Sequence, residues 1–99
     1  MVLMQIFLPV GDEPDAARSR HEAVRRELVE RFGGLTAYSR APAKGLWRDG
    51  QAVEHDDVVV YEVMTDVLDR GWWSVYRSSL ERRFEQQEVV VRALQAERL

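Results

Sequence analysis

Cysteine is absent from these 99 residues. That excludes disulfides, thiolate nucleophiles and thiolate metal sites, and it fits a reducing compartment. Lysine is nearly absent too. Lys44 is the only one, and every other basic residue is an arginine, the usage of a GC-rich bacterial genome. Neither charge sign dominates: 14 basic residues face 17 acidic ones, for a net charge of −3, and the signs interleave. No basic stripe of the nucleic-acid-binding kind forms, so no nucleic-acid partner is expected. Long apolar runs are missing. Met1 to Leu8 is apolar, but Pro9, Gly11, Asp12 and Glu13 follow at once. A membrane span needs about 20 apolar residues, and a signal peptide needs a basic head and a small-residue cleavage site. Neither is expected, and neither is a membrane partner; the expected location is the cytoplasm.

What is present describes an ordinary globular chain, 45% hydrophobic and 31% charged. The length suits one domain, residues 1–99. A chain of this size buries roughly two-thirds of its unfolded surface, enough for one core.

Val2 to Leu8 reads as a central strand, apolar at nearly every position. A helix is expected to start at Asp12–Pro14, with an acidic cap and proline in the first turn. Ala17, His21, Val24, Leu28 and Phe32 then share one face. Gly33 and Gly34 stop the helix. Leu35 to Arg40 alternates as a second strand, and Ala41 to Gly45 reads as a loop. Leu46–Arg48 and Gln51–Glu54 flank Asp49-Gly50, a hairpin signal. His55-Asp56-Asp57 leads into the strand Val58–Met64. A second helix carries Trp73, Tyr76, Leu80 and Phe84 on one face, with Trp73 in the core and Trp72 at its rim. Glu88 to Leu94 is the last strand.

The order β-α-β-β-α-β predicts an α+β, ferredoxin-like fold. Two helices cover one face of a four-stranded antiparallel sheet, with strands in the order fourth, first, third, second. Strand parity places Val2, Met4, Ile6, Leu8, Leu35, Ala37, Val59, Tyr61, Val63, Val89, Val91 and Ala93 under the helices. The opposite parity carries Leu3, Phe7, Val58, Val60, Met64, Val90 and Leu94, interrupted by Gln5, Tyr38, Glu62 and Arg92. The four polar residues are expected near one row. So apolar a face needs a cover. A second copy of the chain is the simplest one, in a homodimer, a dimeric α+β barrel or a higher homo-oligomer. A small-molecule cavity between two such sheets is compatible with it.

No stretch bears a recognisable reaction centre. Gly33-Gly34 follows a helix, whereas phosphate loops precede one, and no nucleotide fingerprint exists. No cofactor is expected. The serines lack a nucleophile elbow. His21, on an apolar helix face, reads as a buried, satisfied histidine. His55 stands among Glu54, Asp56 and Asp57, but no second histidine falls at ligand spacing, so no metal site is assigned. Trp47 sits beside Arg40, Lys44 and Arg48. These cations could hold an anion; the plainer reading is an edge plug with solvated cations.

Arg31–Thr36, then Gly45-Leu46-Trp47-Arg48, then Val58-Val59-Val60-Tyr61 resemble a group of small bacterial proteins known as a domain of unknown function. Leu80 to Val89 resembles their helix-to-last-strand junction. The resemblance spans most of the chain. It implies the fold and transfers no activity. At fold level the chain also resembles dimeric α+β-barrel proteins, which include cofactor-free monooxygenases. It departs from nitrogen-regulatory sensors, whose long loop after the second strand is missing. It also departs from RNA-recognition domains, whose third strand exposes aromatic and basic residues.

The leading expectation is therefore a non-enzymatic homo-oligomer that binds a small molecule through Gln5, Tyr38, Arg40, Trp47, Glu62 and Arg92. The rival is a small cofactor-free enzyme, monooxygenase- or isomerase-like. In it Glu62 or His55 acts as base, and Arg92, Arg40 or Tyr38 stabilises negative charge.

Overall fold

The computed structural model describes the backbone of residues 1–49 and 52–99, and the side chains of 1–38 and 57–99. Strand β1 spans Val2–Pro9 and helix α1 Pro14–Phe32. A long hairpin follows, β2 Thr36–Asp49 and β3 Ala52–Thr65. Helix α2 covers Arg70–Arg83, and β4 covers Val90–Gln95. The sheet order is β2-β3-β1-β4, with every neighbouring pair antiparallel. This is the ferredoxin-like order expected from the sequence. Each helix carries the chain over one intervening strand, so β1 runs parallel to β2, and β3 to β4.

Alternation decides the layers. Along β1, Val2, Met4, Ile6 and Leu8 are buried, while their neighbours are only partly so. Val59, Tyr61 and Val63 of β3 join them under the helices, with Val24, Leu28, Trp73, Leu80, Phe84 and Val89. Trp73 enters the core, and Trp72 packs at its edge. The two rings meet edge to face, 4.8 Å between centroids.

Local chemistry sets the helix ends. Pro14 opens α1 behind Glu13, whose side chain makes no capping bond. Gly33 closes it in the left-handed conformation (φ 80°), its N–H donating to the Val29 carbonyl. Asp69 caps α2 by accepting the N–H of Trp72 at 3.0 Å.

Four expectations need correction. Ala41–Gly45 is no loop, because β2 runs unbroken from Thr36 to Asp49. The register shifts between Tyr38 and Ala43, where 39–42 face a single β3 residue, Val59. Such a bulge absorbs Pro42, which has no N–H for the ladder. His55-Asp56-Asp57 likewise lies within β3, paired with Leu46, Gly45 and Lys44. The last strand starts at Val90, because the N–H of Val89 is taken by the Glu81 carboxylate at 2.9 Å. Ala93, assigned beneath the helices, is exposed on the edge strand. In the expected Asp49-Gly50 turn, Asp49 pairs with Ala52, and Gly50 lies outside the described residues.

Candidate functional site

On the uncovered sheet face, register brings Gln5, Glu62 and Arg92 into one row, and the Tyr38 side chain reaches that row diagonally from β2. Gln5 stands opposite both Glu62 on β3 and Arg92 on β4. Thr36 stands opposite Glu62, with Tyr38 two residues further along β2. Gln5 Nε2 donates to Glu62 Oε2 at 2.7 Å, and the Tyr38 hydroxyl donates to Glu62 Oε1 at 3.1 Å. At the other end Arg92 donates to Gln5 Oε1 at 2.9 Å, with its guanidinium 4.7 Å from the Phe7 ring centroid. Arg92 thus reaches Glu62 only through Gln5. The bond to Glu62, and then its charge, push the Tyr38 hydroxyl above its usual pKa.

Apolar side chains flank the row. Met64, Val90 and Leu94 are 49%, 47% and 42% exposed, and Tyr38 is 50% exposed. Leu3 and Phe7 are half-buried. Val60, opposite Phe7 and Tyr38, is buried on this same face.

The other candidates stand apart. His55 pairs with Leu46 and Trp47 with Glu54, far along the hairpin. Seven residues of strand separate His55 from Glu62, about 23 Å at the extended rise. The two candidate bases therefore belong to different places in one chain. The side chains of Arg40, Trp47 and His55 lie outside the described residues.

Beneath the helices lies a polar cluster that the sequence only half announced. His21 is buried. Its Nε2 lies 2.9 Å from the Pro9 carbonyl and its Nδ1 2.6 Å from the Tyr61 hydroxyl. A carbonyl only accepts, so Nε2 carries the proton and Nδ1 accepts from Tyr61. Arg25 donates to the same hydroxyl at 3.3 Å. Burial lowers the His21 pKa, against the bond to Pro9. It raises that of Tyr61, against Arg25. A neutral imidazole with both nitrogens engaged holds the fold and has no free atom for chemistry. Sequence reasoning missed Tyr61 as its partner, although a tyrosine on a buried parity needs one. It also missed Glu27, which accepts from Tyr76 and Arg83, both at 2.9 Å, and ties α1 to α2.

A hollow of about 690 Å³ opens where the sheet ends near the C-terminus of α1. It exists because β2 begins at Thr36, opposite Glu62, while β3 runs on to Thr65. Leu3, Leu35 and Met64 give it apolar walls; Glu62 and Asp66, with Arg31 and Arg98, give it charge of both signs. Among the described residues no group of three or more His, Asp or Glu is placed to hold a metal ion, and no helix is long and apolar enough to cross a membrane.

No family model matches the sequence, and no curated protein does. Solved structures do resemble the fold. A divalent cation tolerance protein from Thermus thermophilus superposes with a TM-score of 0.61 at 14% identity, over 99% of this chain and 86% of that one. CutA1 from Oryza sativa gives 0.62 at 10% identity, over 97% and 79%. The periplasmic divalent cation tolerance protein CutA from Archaeoglobus fulgidus gives 0.61 at 13%, over 99% and 86%. At such identities the likeness is one of fold, and the fold is ferredoxin-like α+β.

Proposed function

We propose that this chain is a self-associating α+β protein that covers its open sheet face with further copies of itself. One observation carries the reading. The polar row Tyr38–Glu62–Gln5–Arg92 is hydrogen-bonded within the chain, while the apolar side chains around it stand exposed. A row already closed leaves a surface that mainly gains from losing water. Burying each of Met64, Val90 and Leu94 contributes about 1.5–3 kcal/mol at most.

The enzyme reading has less support. Both Glu62 oxygens accept hydrogen bonds, and His55 lies too far along β3 to assist. Divalent cation tolerance belongs to the names of the structural neighbours, and the described residues offer no cluster of ligands to extend it here. The resemblance to small bacterial proteins of unknown function is matched by no family model and transfers no activity. A cysteine-free sequence supports a cytoplasmic location, whereas the A. fulgidus neighbour is named periplasmic.

Sedimentation at micromolar concentration tests the reading. A dimer or larger species is expected, and Val90→Asp combined with Leu94→Glu should give a folded monomer. A wild-type monomer, or a double variant that assembles unchanged, would refute it.

A further inference from the structure

We propose that the open sheet face receives a second copy turned about a two-fold axis along β1, so that Arg92 of each chain pairs with Glu62 of the other. The arrangement rests on the self-association proposed above and specifies it. The first observation is charge. Glu62 is half-buried on that face, and among the described residues its oxygens accept only from the neutral groups of Gln5 and Tyr38. Arg92 gives one donor to Gln5 and lies against the Phe7 ring. Among the described residues neither charge is in an ion pair. Covering the face takes both out of water, and a buried charge without a counter-ion is costly. Gln5 stands between them with one strand on either side, which sets their strands about 9.5 Å apart at the usual spacing. The fold holds the two charges apart within one chain; a second copy can bring them together.

The second observation is the layering of the face. Leu3 stands opposite Met64 and Leu94, and Phe7 stands opposite Val60 and Val90. An apolar row therefore flanks the polar row on each side. A two-fold axis along β1, lying between the two sheets, sets each row over its own image. It also exchanges the two sides of β1, so β4 lies over the partner's β3. Apolar rows then meet apolar rows, Gln5 meets Gln5, and Arg92 meets Glu62 of the partner subunit on both sides of the axis. Sheets packed face to face keep their strands within about 30° of one another and about 10 Å apart, as this axis requires. An axis across the strands would set Arg92 over Arg92 and Glu62 over Glu62, and like charges so placed reject a partner. The groups have capacity for the new pair. A carboxylate accepts about four hydrogen bonds and a guanidinium donates about five, more than the chain uses.

The test exchanges the charges and reads assembly by sedimentation, with circular dichroism checking the fold. Wild type should be a dimer. Glu62→Arg and Arg92→Glu should each weaken self-association by about tenfold or more, because each sets like charges across the axis. An equimolar mixture of these two variants should form a heterodimer near wild-type affinity. The two changes combined in one chain should restore the homodimer. If a reversal fails to fold, Glu62→Gln and Arg92→Gln take its place. Each should weaken the dimer, and combining them should weaken it no further. Reversals that stay apart when mixed, a double swap that stays monomeric, or additive losses in the glutamine variants would overturn the arrangement. So would a wild-type trimer, or a dimer indifferent to both charges. All of these outcomes leave self-association standing, whereas a wild-type monomer removes self-association itself and this arrangement with it.

Discussion

The hydroxyl of Tyr61 lies 2.6 Å from Nδ1 of His21, joining the centre of β3 to the buried face of α1. On the far side of the ring the Pro9 carbonyl accepts from Nε2 at 2.9 Å. One imidazole thus bridges the helix to two adjacent strands.

That bridge makes stability fall in mild acid. Unfolded, His21 titrates near 6.5; folded, its pKa is lower, first because burial disfavours the imidazolium. Arg25 and Arg20 add repulsion, and the backbone at Pro9 and Val10 opposes it. Between the two values the unfolded chain binds the extra proton. The contribution is therefore complete above pH 6.5 and is lost as pH falls from there toward the folded value. Urea melts from pH 8 down to pH 5 should show this decline, and His21→Gln should flatten it. An equal slope in the variant would rule His21 out as its source.

Tyr61→Phe keeps the ring and removes the hydroxyl. His21 Nδ1 then loses its donor and Arg25 an acceptor. A buried unsatisfied acceptor costs about 1–3 kcal/mol. In a double-mutant cycle with His21→Gln, the two losses should be smaller together than their sum. Strict additivity would show that the 2.6 Å contact carries no coupling.

The adjacent tryptophans should separate in a denaturant melt. Trp73 is 5% exposed, within the core. Its replacement by alanine should cost about 3–5 kcal/mol. Trp72 stacks on Tyr76 at 4.7 Å and lies under Arg31 at the core's edge. Its loss should cost less, about 1–2 kcal/mol. The reverse ranking would place the wrong ring in the core.

Glu85 follows α2 at φ 53°, a left-handed conformation. The chain leaves the helix there, with Gln86 N–H donating to the Glu81 carbonyl at 2.9 Å. Glycine meets no Cβ penalty in this geometry, whereas other residues do. Glu85→Gly should stabilise the protein by about 0.5–1 kcal/mol, seen as a raised melting temperature. A lowered one would mean that the glutamate side chain makes a contact worth more than the strain.

Local periodicity alone determined much of this protein. Alternation in Val2–Leu8 and Val58–Met64 marked the covered and open faces, and spacings of three and four marked the buried sides of both helices. The same parity put Gln5, Glu62 and Arg92 on one face, since side chains two residues apart always share one. The tertiary structure decided which polar groups meet. Whether Arg92 bonds to Glu62 or to Gln5 depends on register between strands far apart in sequence, as does the meeting of His21 with Tyr61. Ala41–Gly45 looked like a loop because proline and glycine punctuate it; pairing with β3 kept it in a strand, with the bulge absorbing the mismatch. The hollow beside Gly34 was invisible in the sequence for a like reason: it arises from where β2 begins relative to the end of β3, a relation that no local stretch of sequence encodes.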